Sequence, residues 1–246
     1  ALAFTQAADE TGIPIILQAG PSCRAHTPIP ILGKMFRYLA SQTKTNICCH
    51  VDHGYTLDEC YEGIDSGFTS VMFDGSKLTL KENIKISKKI ASRAHKHNIS
   101  VEGEIGFVGY DNGKISEGTN IEDAVTFANK SNIDAMAISV GNTHLQTSKK
   151  ASIDFNKINL IEAKTKIPLV LHGSSGIPVE QRKKLARKTK VAKLNIGTEI
   201  RMTFGEALRK NLKNNPKTYD RLQLLKPTIK DLTKVTKKII KQIGPN

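Results

Sequence analysis

NICCHVDHGYTLDEC, residues 46–60, passes from small and apolar side chains into His50, Val51, Asp52 and His53, then through a glycine into a helical pattern. A strand whose polar residues gather at its carboxyl end, followed at once by a helix, is the unit of a parallel βαβ sheet. The same unit recurs along the chain. Apolar runs at 13–20, 46–52, 69–75, 99–106, 134–141, 167–173 and 191–197 alternate with helical patterns such as TLDECYEGIDSG, KLTLKENIKISKKIASRAHKHN, NIEDAVTFANKSN and VEQRKKLARKT. The runs are near-continuously apolar, as strands covered on both faces are, and end in polar residues: Gln18, Asp52, Asp74, Glu102 and Glu104, Asn142 and His144, His172, Asn195. That end of the strands is where an α/β barrel builds its active site.

Seven strands are readable, whereas a (β/α)8 TIM barrel has eight, and the chain opens on ALAFTQAADETG, an amphipathic pattern of the kind that follows a first strand. The expected fold is an α/β (β/α)8 TIM barrel lacking the first strand, as a single domain over residues 1–246. A helical extension is expected from about residue 214. There KNNPKTYDRLQLLKPTIK, punctuated by Pro216 and Pro227, leads to a last helix ending near Ile243.

Composition narrows the function classes. The 246 residues are 39% hydrophobic, with no tryptophan and no apolar run near the roughly 18 residues of a membrane span. Four cysteines, two of them adjacent at Cys48 and Cys49, form neither a spaced disulfide framework nor a CxxC zinc cluster, and the amino-terminal stretch lacks signal-peptide regions. A cytoplasmic protein is expected. The formal charge of +14 is confined to residues 181–246, where 19 Lys and Arg face 4 Asp and Glu; residues 1–180 hold 18 against 19. Solvated helix faces are the first reading of this excess, with attraction of phosphorylated ligands or nucleic acid as the alternatives; no aromatic-interleaved basic motif is there, so nucleic acid is not an expected partner.

Of seven histidines, His95 and His97 suit a helix C-terminus and His26 sits among loop prolines. His53, His144 and His172 each follow a strand that ends at the same barrel mouth. Converging imidazoles without cysteine partners make an open, catalytic type of zinc site; the alternative is a set of satisfied polar residues at strand ends. HGSSG (172–176) and NIGT (195–198) supply small residues after the last two strands, where barrel enzymes bind phosphate through backbone N–H groups.

Taken in order, HVDHG, SVMFDGS, VEGEIG, GNTH, PLVLHGSSGIP and KLNIGTEIR resemble class II, metal-dependent ketose-bisphosphate aldolases, the fructose- and tagatose-bisphosphate aldolase group, from residue 1 to about 240. The resemblance implies reversible cleavage of fructose or tagatose 1,6-bisphosphate to dihydroxyacetone phosphate and glyceraldehyde 3-phosphate. It further implies one Zn²⁺ per subunit on His53, His144 and His172, and Asp52 as the catalytic acid/base. The ion would stabilise the enediolate left by carbon–carbon cleavage, and a carboxylate beside it is suited to shuttle the hydroxyl proton. Asp74 and Glu104 match carboxylates that hold the metal in a displaced position or support its ligands. Gly173, Ser175, Gly197 and Thr198 match the phosphate cradle, and Asn195 matches a group on the substrate near the enediolate. The same resemblance implies a homo-oligomer, a dimer or tetramer, and an activating monovalent cation where one is used.

Strand alternation places His50 on the side of Asp52 and one layer below, as packing or support. Lys193 shares the strand face of Asn195, but the histidine triad makes a Schiff-base role the lesser reading. The chain departs from the family at Leu145, where glycine is usual, and in the loop FVGYDNG, where Asp111 is the candidate acid. Two rivals stand beside the aldolase reading: a metal-dependent barrel hydrolase, and an inactive barrel that binds polyanions through its basic quarter.

Overall fold

In the computed structural model, which describes residues 1–110 and 118–245, the sequence rhythm becomes one parallel sheet. The elements in chain order are α1 (Leu2–Thr11), β1 (Ile15–Ala19), α2 (Pro21–His26), α3 (Ile29–Ser41), β2 (Ile47–Gly54), α4 (Leu57–Asp65) and β3 (Ser70–Phe73). They continue with α5 (Leu80–Ala94), β4 (Ser100–Ile105), α6 (Ile121–Lys130), β5 (Ala135–Ile138), α7 (Phe155–Lys164), β6 (Leu169–Leu171), α8 (Val179–Lys188) and β7 (Val191–Leu194). Three helices close the described chain: α9 (Thr198–Asn214), α10 (Arg221–Leu225) and α11 (Thr228–Ile243).

Strand starts and helix starts have local causes. Thr56 and Thr79 open α4 and α5 with reciprocal capping boxes to Glu59 and Glu82, each contributing about 1 kcal/mol. Every adjacent strand pair is parallel, and the order is that of the sequence, β1 to β7. Among the described residues β7 and β1 form no ladder with each other, so the sheet is an open, curved seven-stranded form of a barrel.

The two faces of the sheet are chemically different. Outward residues, among them Leu17, Cys49, Val51, Val71, Val101, Met136, Ile138, Leu169 and Leu171, join helix residues such as Phe36, Phe68, Ile90, Phe127 and Ile158 in the main core. Among the described residues the inward face has a small apolar cluster of Met72, Ala137 and Val170, and its other buried side chains include the polar His50, Asp52, Ser70, Glu102, Glu104, His172 and Asn195. Hydrophobic burial is therefore supplied outside the sheet, which leaves the concave side free for ionisable groups.

The last helix returns to the first. α11 lies on α1, with Thr233 Oγ1 donating to Ala3 O at 3.4 Å and Lys237 Nζ pairing Glu10 at 2.6 Å. Ala3, Ala7 and Ala8 of α1 are buried, as are Ile239 and Ile240 of α11.

Candidate active site

β2 delivers two neighbouring side chains to one side of the sheet, against simple alternation. Asp52 follows His50 inward, so His53 would be carried outward by a regular strand. Instead the register with β3 shifts between Val51 and Gly54, and His53 adopts a left-handed φ of 52°. Such a bulge re-aims a side chain at the cost of local strain. The Arg24 guanidinium of α2 holds the kink, donating to Ala19 O at 2.7 Å, Asp52 O at 2.5 Å and His53 O at 2.9 Å. Gly54 follows because a Cβ there would meet Cys60 Sγ at 2.7 Å and Met72 O at 2.8 Å.

His53, His144 and His172 come together: one donor atom from each lies within 4.8 Å of the others. His53, Asp74 and Glu104 make a second such group. His53 Nδ1 contacts Asp74 Oδ2 at 2.8 Å, and His172 Nε2 contacts Glu102 Oε1 at 3.0 Å. Glu102 on Nε2 of His172 leaves Nδ1 facing the cluster and fixes that imidazole's tautomer and direction, as carboxylates do around metal-ligating histidines, whereas Asp74 shares the His53 Nδ1 that also faces Glu104. Tyr110 stacks on His144 with ring centroids 5.1 Å apart.

The donor set fits a zinc ion. His172 Nδ1 and Glu104 Oε2 are buried without hydrogen-bond partners among the described residues. Glu104 Oε2 stands 3.5 Å from His172 Nδ1 and 3.7 Å from His53 Nδ1. Two ligands on one tetrahedral ion at ordinary Zn–N and Zn–O lengths sit about 3.3 Å apart, so the spacing is close to that of a shared cation.

Protonation is divided among these groups. Burial, reinforced by the charge of His53, pushes His144 down to about 4 and His172 well below the ordinary range, so both are neutral at pH 7. Burial would lower His53 too, but Asp52, Asp74 and Glu104 outweigh it and raise it to about 9. Burial and the Asp74 charge push Glu104 well up. Asp74 resists burial through His53 and Ser76 and is held at about 2.

Asp52 stands beside this cluster, only 7% exposed. Its Oδ1 accepts from Asn195 Nδ2 at 3.0 Å and its Oδ2 from Gln18 Nε2 at 3.4 Å. Burial favours the protonated acid, but the charges of His53 and Lys193 outweigh it and keep the carboxyl below its ordinary value. Lys193 Nζ pairs Glu102 at 2.8 Å and lies 3.4 Å from His50 Nε2, while His50 Nδ1 meets Ser70 Oγ at 2.8 Å. His50 is thus one layer below Asp52, as alternation predicts.

The loops after β6 and β7 adjoin. Gly173 has φ 61°, and a Cβ there would drive into the Thr143 carbonyl oxygen. Ser174 N–H donates to Asn195 O at 3.0 Å, and Glu199 N–H donates to Ser175 Oγ at 3.2 Å, which draws Gly173, Ser175, Asn195, Gly197 and Thr198 into one region. Leu145 holds a left-handed φ of 58° with its side chain 53% exposed. The backbone therefore keeps the conformation glycine would favour, and leucine carries the strain. Asp111 lies outside the described residues.

Sequence reading missed Arg24, Tyr110 and Arg182, all of which support this region. A lone cation in a loop or helix has no spacing signal, since its carbonyl and carboxylate partners are set by tertiary contacts.

Parallel strands with imidazoles and carboxylates gathered at their carboxyl ends define the barrel enzymes of the α/β class. The chain belongs to the class-II fructose-bisphosphate aldolase family, whose model matches residues 1–246. It is 37% identical over 201 residues to 6-phospho-5-dehydro-2-deoxy-D-gluconate aldolase of Shouchella clausii, covering 80% of this chain and 68% of the relative. It is 32% identical over 249 residues to fructose-bisphosphate aldolase of Staphylococcus aureus, covering 98% and 87%. The crystal structure of the YdjI aldolase from Escherichia coli superposes with a TM-score of 0.82 at 25% identity, covering 99% of this chain and 86% of that one. Class II aldolases are zinc-dependent as a group, and the family makes the chain an aldolase-type lyase. No described helix is long and apolar enough to cross a membrane.

Proposed function

We propose that the chain reversibly cleaves a ketose 1,6-bisphosphate, fructose or tagatose 1,6-bisphosphate, into dihydroxyacetone phosphate and glyceraldehyde 3-phosphate. The observation that carries this reading is the convergence of His53, His144 and His172 donors within 4.8 Å, beside an ionised Asp52. A zinc ion held there by the three histidines, with Asp74 and Glu104 as alternate ligands or supports, supplies Lewis-acid stabilisation of negative charge on the ketose oxygens. Asp52 takes the proton of the C4 hydroxyl as the carbon–carbon bond breaks and returns it in condensation. Asn195 and Gln18 hold the two Asp52 oxygens in place. Gly173, Ser175, Gly197 and Thr198 receive the phosphate of the dihydroxyacetone half. The reading extends to a homo-oligomer in a reducing cytoplasm, in keeping with four free cysteines.

A second substrate has specific support. The relatives at 37% and 34% identity are named 6-phospho-5-dehydro-2-deoxy-D-gluconate aldolase, and cleavage of such a compound would use the same cluster.

The test measures cleavage of all three phosphorylated substrates before EDTA, after EDTA and after added zinc. Activity lost to chelator and restored by zinc supports the reading and ranks the substrates. A folded, zinc-loaded protein that cleaves none of them sinks it.

A further inference from the structure

Glu199 is the point where two loops and α8 meet. It is the second residue of α9; its N–H donates to Ser175 Oγ at 3.2 Å, and its Oε2 accepts from Arg182 Nη2 at 2.7 Å and from Lys149 Nζ at 3.3 Å. Ser175 comes from the loop after β6, Lys149 from the segment after β5, and Arg182 from α8. Arg182 is fully buried, donates from Nε to Ile177 O at 2.9 Å, and leaves Nη1 without a partner among the described residues.

A carboxylate at this place works against an anion site. The start of a helix favours negative charge through its free N–H groups, but Glu199 puts a full negative charge beside Thr198 and Ser175. The adjoining cleft is lined by Glu206 as well, with Lys149 on the same wall. Burial would raise the Glu199 carboxyl, yet Arg182 and Lys149 outweigh it and keep it below its ordinary value, so the charge persists at pH 7. Lys149 is exposed and solvent-screened, whereas Arg182 acts from a dry position.

We propose that Arg182 is a positioning residue for the phosphate site: its guanidinium cancels the Glu199 charge and fixes Ser175 and Thr198 together, so that the start of α9 can receive a phosphate. This rests on the phosphate-cradle part of the function proposed above. The pair also explains why a fully buried arginine is tolerated in α8, since an uncompensated buried charge would be costly.

The test is calorimetric binding of inorganic phosphate and of dihydroxyacetone phosphate to zinc-loaded wild type, Arg182→Met, Glu199→Gln and the double variant, with thermal unfolding of each. Arg182→Met weakens phosphate binding about tenfold, the effect of one unbalanced charge at close range, and the double variant restores it to within about threefold. Glu199→Gln keeps an acceptor for Arg182 and removes the negative charge; it lowers the unfolding temperature yet tightens phosphate binding. A merely structural pair would move stability and affinity in the same direction. Should Arg182→Met not fold, Glu199→Gln decides alone, and unchanged or weaker phosphate binding in that variant overturns the proposal. Wild-type protein that binds neither ligand overturns the cradle itself, and with it this role; wild-type binding that Arg182→Met leaves unaltered overturns only the role of Arg182.

Discussion

His172 Nδ1 and Glu104 Oε2 lie 3.5 Å apart, both buried, and neither has a hydrogen-bond partner among the described residues. Two such atoms left facing each other would each carry an uncompensated desolvation cost of about 1–3 kcal/mol. A cation between them removes both costs at once. Zinc should therefore raise the unfolding temperature of the protein, and Glu104→Gln should reduce that rise. An unfolding temperature indifferent to zinc would count against the site.

The protonation pattern sets the pH dependence of that effect. His53, raised to about 9, holds a proton at pH 7 that zinc must displace, whereas His144, at about 4, is already neutral. Zinc affinity should climb from pH 7 to 9, by up to about tenfold per unit, with proton release. Without zinc the sign is opposite. A histidine raised from 6.5 to about 9 gives its stabilisation in full below 6.5 and loses it as pH rises through 9. Titrations at pH 7, 8 and 9 check this, and a flat affinity would remove His53 from the exchange.

Asp52→Asn keeps the shape of the side chain beside Asn195 and removes the base. Cleavage should fall by about 10²–10⁴-fold while zinc binding stays close to wild type. Wild-type turnover in this variant would take Asp52 out of the mechanism.

Arg24→Met releases the Asp52 and His53 carbonyls that the guanidinium holds. Outer groups that orient a ligand are worth about 10–100-fold in metal affinity, so zinc binding should weaken by that order with the three imidazoles intact. Calorimetry with zinc distinguishes this from a global loss of fold, which far-ultraviolet circular dichroism would report.

Two left-handed positions should respond oppositely. Gly173→Ala drives a methyl into the Thr143 carbonyl oxygen and should destabilise by more than about 2 kcal/mol. Leu145→Gly relieves a φ of 58°, about 1–2 kcal/mol of strain, against a similar entropic cost of glycine in the unfolded chain. Denaturant midpoints should fall clearly for the first and change by less than about 1 kcal/mol for the second.

The strand–helix rhythm was legible because both-face burial makes each strand apolar up to its carboxyl end. The structure trims the runs, for example 13–20 to Ile15–Ala19 and 167–173 to Leu169–Leu171, since only stretches with a partner in register form a ladder. The three histidines stand out by strand position and the structure brings them together, while their reading as ligands comes from the motif resemblance. What period-two reasoning could not supply was the face of His53, because a bulge reverses it. Nor could it supply Arg24 and Arg182, each of which has a decisive partner distant in sequence: Asp52 O, 28 residues on, and Glu199, 17 residues on.

The pairing of α11 with α1 has a consequence for the order in which the molecule can be completed. Thr233 meets Ala3 across 230 residues of chain, so during synthesis the alanine face of α1, touched earlier chiefly by β1 and α3, lacks its main cover until residues 228–243 have emerged. Contacts of such separation close late and slow folding, and an amphipathic helix waiting with its apolar side bare is an aggregation hazard and a natural client for a chaperone. The seam between these two helices should therefore form last, and pulse-labelled hydrogen exchange should find their amides protected together, after those of the sheet.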